Sequence, residues 1–82
     1  MYLVDVEPPA QAQVDALPAE ALVAFAELRV VLETAPWSGP PYSGGKPDGG
    51  MRAQAFGDAG FAVYLILERQ RRVEVLSVVW AG

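Results

Sequence analysis

The chain has 82 residues, a net charge of −4 and neither cysteine nor histidine, which excludes a disulfide framework, a cysteine metal site and the usual neutral-pH proton shuttle. It is 52% hydrophobic, which argues against disorder, and its longest apolar run, residues 61–67, is far too short to cross a bilayer. Negative charge opposes nucleic-acid binding, but its distribution is uneven: residues 1–41 hold six acids and one base, and residues 42–82 hold four acids and five bases.

One domain spanning residues 1–82 is the expectation at this length. So short a chain buries a modest share of its surface, so a homodimer would help stability. The opening Met-Tyr-Leu-Val-Asp carries no basic segment and no cleavage pattern, which reads as a soluble cytoplasmic protein. Residues 2–7 alternate and begin with β-formers, giving a strand that Pro8-Pro9 ends. Residues 10–17 are a short helix, with Ala10, Val14 and Leu17 at helical spacing. Pro18 breaks it and opens the strongest helix, residues 19–34. Ala21, Phe25, Leu28, Leu32 and Ala35 form its apolar stripe, and Glu20 suits the dipole at its start. Pro36 stops it. Residues 36–50 form a long Gly/Pro loop, in which Trp37 and Tyr42 are expected to close one end of the core.

Three strands follow at residues 51–56, 61–68 and 72–80, joined by turns at 57–60 and 69–72. The second turn sets Glu68 opposite Val73, Ile66 opposite Val75 and Tyr64 opposite Ser77. The expected core face is then Phe61, Val63, Leu65, Leu67, Leu76, Val78 and Trp80. The smaller, more polar face holds Ala62, Tyr64, Ile66, Glu68, Val73, Val75, Ser77 and Val79. A plain four-residue first turn would bury Arg52 and Gln54 on the core face, and an unpartnered buried arginine is costly. A bulge at Gly57 or Gly60 is therefore expected, bringing Arg52, Gln54, Tyr64 and Ser77 onto the open face.

Strand, two-helix hairpin, loop and three-stranded meander resemble the layout of the RelE/ParE superfamily of toxin–antitoxin toxins. Met51-Arg52-Ala53-Gln54-Ala55-Phe56-Gly57 is similar to the family's second strand, which often carries an arginine. Tyr64-Leu65-Ile66-Leu67-Glu68 and Arg71-Arg72-Val73-Glu74-Val75-Leu76-Ser77-Val78-Val79-Trp80 resemble its closing hairpin. The resemblance implies an α+β fold, β-α-α-β-β-β, with a helix hairpin on one face of a four-stranded, mostly antiparallel sheet. It implies one of two activities. RelE-like toxins enter the ribosomal A site and cut messenger RNA; ParE-like toxins inhibit DNA gyrase. A cognate antitoxin neutralises either kind.

Carried over residue by residue, Arg52 is the candidate to stabilise the phosphate, gripping it bidentately. Tyr64 is the candidate acid or base, on condition that its pKa is strongly lowered. Lys46, Arg69, Arg71 and Arg72 are candidate phosphate contacts. Glu68 is a candidate base or a solvated strand-end carboxylate. No metal or organic cofactor is implied, and Gly44-Gly45 and Gly49-Gly50 are loop glycines, not a phosphate-binding motif. Two departures stand out. The chain is acidic, whereas ribosome-dependent nucleases of this family are usually rich in lysine and arginine. Trp80-Ala81-Gly82 also supplies none of the His, Tyr or Glu groups that many members use near their C-terminus. The rival expectation is a non-catalytic binder, a ParE-like gyrase inhibitor or a silent member acting by protein contact. Its strand 72–80 would serve if it lay at a sheet edge.

Overall fold

The computed structural model describes residues 1–42 and 49–82. In chain order these form β1 (Leu3–Val6), α1 (Pro8–Asp15), α2 (Ala19–Thr34), a 3-10 turn (Pro36–Ser38), β2 (Met51–Phe56), β3 (Gly60–Leu67) and β4 (Arg72–Trp80). The strands make one sheet in the order β1-β4-β3-β2, with β1 parallel to β4 and the other pairs antiparallel. Both helices pack on one face of it, so the expected α+β architecture holds. None of the helices among the described residues is long and apolar enough to cross a membrane.

The prolines set the helix starts. Pro8 and Pro9 occupy the first turn of α1, where no backbone N–H is needed. Pro18 caps α2, and Glu20 sits in its first turn. The α2 stripe buries Ala21, Phe25, Leu28 and Leu32 against the sheet; Ala35 lies beyond the helix and is exposed. Phe25 meets Phe56 edge-on at 5.5 Å between ring centroids, and Phe56 meets Trp80 at 5.8 Å.

The closing hairpin corrects the expected register. Leu67 faces Arg72, Ile66 faces Val73 and Tyr64 faces Val75, so residues 68–71 make the turn and Arg71 takes φ 53°. The register then shifts, and Val63 faces Ser77, leaving Leu76 as the extra residue of β4. The core face is Ala62, Tyr64, Ile66, Val73, Val75 and Val78, all buried, while Phe61 and Val79 are exposed. The expected face was inverted over most of the hairpin. Residues 61–67 are apolar on both sides of the strand, so side-chain size was the only guide, and a one-residue slip exchanges the faces. The bulky side chains of α2 and Tyr64 fill the interior, and the sheet answers with small and β-branched residues.

The first turn is also different. The β2–β3 pairing runs without a shift from Met51 opposite Leu65 to Phe56 opposite Gly60. The turn has three residues, 57–59, and Gly57 takes the left-handed φ of 60° that glycine tolerates best. The parity change expected of a bulge thus comes from turn length.

Strand β4 is not an edge over its first half, where β1 pairs with residues 72–75. Beyond Val75 the side chain of Gln13 on α1 covers it, its Oε1 accepting the Val78 N–H at 2.8 Å. On the other side of the sheet, residues 40–42 line β2: Tyr42 N–H donates to Met51 O at 2.9 Å and Ala53 N–H to Pro40 O at 3.1 Å.

Candidate functional site

Arg52 pairs with Tyr64 across β2 and β3, so the two do share a face, with Gln54 beside them. That face is the inward one. Ser77, opposite Val63, lies on the other. Arg52 is 7% exposed, and its charge is compensated by backbone oxygens and a ring. Its Nε donates to Gly49 O at 3.0 Å and its Nη1 to Gly39 O at 3.1 Å. The guanidinium lies 4.8 Å from the centre of the Trp37 ring. The 3-10 turn and the segment after it, rather than the helices, roof this part of the sheet.

Tyr64 is fully enclosed. Its hydroxyl donates to Pro36 O at 2.7 Å and lies 3.4 Å from Gln54 Oε1. Burial pushes its pKa up, against a smaller lowering by Arg52. The acid–base role expected of Tyr64 is conditional on a lowered value, and burial moves it the other way, because desolvation of a phenolate outweighs the nearby cation. Gly39 makes the arrangement fit. A Cβ there would collide with Tyr64 Oη and come within 2.9 Å of Gln54 Oε1.

A second cluster adjoins the first through Trp37. The indole Nε1 donates to Glu68 Oε1 at 2.8 Å, and the Tyr2 hydroxyl donates to the same oxygen at 2.6 Å. Arg71 Nη1 donates to Glu68 Oε2 at 2.7 Å and to the Tyr2 hydroxyl at 3.0 Å. The Arg71 guanidinium also sits 4.1 Å from the centre of the Tyr2 ring. The Tyr2 hydrogen bond, then those from Trp37 and Arg71, hold the Glu68 carboxyl down at about 2. The same bond to Glu68 raises the Tyr2 hydroxyl. Glu68 is thus an ionised acceptor and not a base poised near neutrality.

The turn arginines divide. Arg71 is ion-paired with Glu68, and Arg72 with Asp5. Arg69 is exposed and has no ion pair among the described residues. Lys46 lies outside the described residues. This corner therefore carries an exposed Arg69 beside the two ion-paired arginines. Chemically it offers fixed cations and a pinned, 39% exposed indole. Among the described residues it offers no pair of groups that exchange a proton near pH 7. Sequence reasoning missed Tyr2 and assigned Trp37 only to core closure. A tryptophan directly after a helix-stopping proline was the one local signal for the latter.

No protein-family profile matches the sequence, and no curated protein matches it. Solved structures do. The isolated Escherichia coli RelE toxin superposes with a TM-score of 0.82 at 15% identity, covering 100% of this chain and 86% of that one. A chain of the intact E. coli RelBE toxin–antitoxin complex gives 0.81 at 15% identity, covering 100% and 99%. A chain of the RelBE2 toxin–antitoxin complex of Mycobacterium tuberculosis gives 0.82 at 22% identity, covering 98% of each.

Proposed function

From a RelE-like fold over the whole chain, we propose that this protein is the toxin half of a toxin–antitoxin pair. The full-length likeness to RelE, alone and in its complexes, carries the reading. A second observation supports a partner chain. The sheet face away from the helices presents Leu3, Met51, Phe61 and Val79 at 59, 39, 45 and 51% exposure. An apolar sheet face of this kind is normally covered.

The finer reading is cleavage of ribosome-bound messenger RNA in the cytoplasm. A ribose 2′-hydroxyl gives its proton to water and attacks the adjacent phosphorus, forming a 2′,3′-cyclic phosphate, and the 5′-oxygen leaves and takes a proton from water. Arg52 stabilises the charge that builds on the phosphate oxygens, after exchanging the Gly39 and Gly49 carbonyls for them. Arg69 and Arg71 hold neighbouring phosphates. With Glu68 ionised and Tyr64 enclosed, the described residues contribute cations and no proton relay. Such a nuclease turns over roughly 10²–10⁴-fold more slowly than one with a general acid and base.

Induction in bacteria, with growth and messenger RNA 5′ ends followed together, tests both levels. Growth arrest relieved by a co-expressed antitoxin supports the toxin, and its absence with well-expressed protein overturns it. New RNA ends lost in a folded Arg52→Ala variant support the nuclease. Arrest without new ends points instead to a protein target.

A further inference from the structure

We propose that Trp37 is a stacking platform for a base of single-stranded RNA, with Arg71 and Arg69 gripping the adjoining phosphates. This rests on the toxin reading only for its biological setting; the binding itself is independent of it.

Trp37 is held from several sides yet open to solvent. Its Nε1 is fixed to Glu68 at 2.8 Å, and Glu68 is itself anchored by Tyr2 and Arg71. Arg52 occupies one side of the ring at 4.8 Å. The neighbouring Pro36 is buried, with its carbonyl bound to Tyr64. Despite these restraints the residue remains 39% exposed. Its ring thus presents an aromatic surface to solvent while its edge is held by hydrogen bonding. A ring already fixed loses little side-chain entropy when a ligand stacks on it. The cation behind it withdraws π-density, which favours an electron-rich purine on the free side.

The phosphates have partners close by. Arg71 spends one nitrogen on Glu68 and Tyr2, and its side chain stays 53% exposed. Arg69 projects from the same turn with no ion pair among the described residues. An aromatic ring beside exposed arginines is the general arrangement for single-stranded nucleic acid. Two phosphate contacts predict a shallow salt dependence, with log affinity falling by about 1.4 per log unit of salt.

The test is binding of a labelled oligoadenylate, read by anisotropy, to the intact protein and to Trp37→Ala and Trp37→Phe, each checked for fold by circular dichroism. Trp37→Ala should weaken binding roughly 5- to 150-fold, the range of one base–aromatic stack. Trp37→Phe, which keeps a ring but loses the bond to Glu68, should retain most of the affinity. An abasic oligonucleotide should bind the intact protein as weakly as the adenylate binds Trp37→Ala. Equal affinity of Trp37→Ala and intact protein overturns the proposal, as does no binding by the intact protein or indifference to base removal. If Trp37→Ala weakens only the association with a protein partner, the platform serves a protein and the proposal fails. Growth arrest on induction reports separately on the toxin reading: arrest without RNA binding sinks the platform alone, and RNA binding without arrest sinks the toxin alone.

Discussion

Glu68 shows how much a single side chain can gather. One carboxylate receives Tyr2, Trp37 and Arg71 and so joins the N-terminal strand, the 3-10 turn and the last hairpin. Its pKa falls from an ordinary 4.5 to about 2. A depressed folded value means that its stabilisation is complete above about pH 4.5 and is lost as pH falls toward 2. Glu68→Gln should therefore be less stable than the parent at neutral pH, and the gap should close in acid. Urea midpoints across that range measure it. Gly39 gives a second test. Gly39→Ala drives a methyl into Tyr64 Oη and should cost about 1–3 kcal/mol, as overpacking does. Tyr64→Phe strands the Pro36 carbonyl and should cost about 1–3 kcal/mol. Combined, they should cost less than the sum, because the clash with Tyr64 Oη is gone while the close approach to Gln54 Oε1 remains. Of these contacts the sequence foretold one, the shared face of Arg52 and Tyr64. Tyr2 and Glu68 stand 66 residues apart, and no local pattern announces such a meeting.

Among the elements, those with a strong period were readable and those that depend on a turn were not. The helix α2 followed from its stripe, and all four strands from β-formers between Gly and Pro. The faces of β3 and β4 were misread because turn length and the extra residue Leu76 set the register, and neither leaves a periodic trace. The sheet also guards its margins with side chains. Arg29 Nη2 donates to Val4 O at 3.0 Å on β1, and Gln13 takes the Val78 N–H on β4. Gln13→Ala should free that N–H at a cost of about 1 kcal/mol and leave the end of β4 open to another strand. Light scattering at rising concentration should show the variant associating where the parent does not.

At the scale of the whole molecule, the helices shield one side of the sheet and leave the other bare. Phe61→Asp and Val79→Asp sit opposite each other on that bare side. Each should change stability by about 1 kcal/mol or less, yet abolish co-purification with the proposed antitoxin if that partner covers this face. Retained co-purification with both changes in place would move the interface elsewhere. The parallel pairing of β1 with β4 has a consequence of its own. Leu3 lies beside Arg72, so the first strand has no neighbour in the sheet until the last is made. Contacts so distant along the chain form late and slow the folding of a small domain. During synthesis the helices and the β2–β3 hairpin can assemble, but the Tyr2, Glu68 and Arg71 corner cannot, because Arg71 immediately precedes β4. A chain still growing on the ribosome therefore lacks this corner until the final strand emerges.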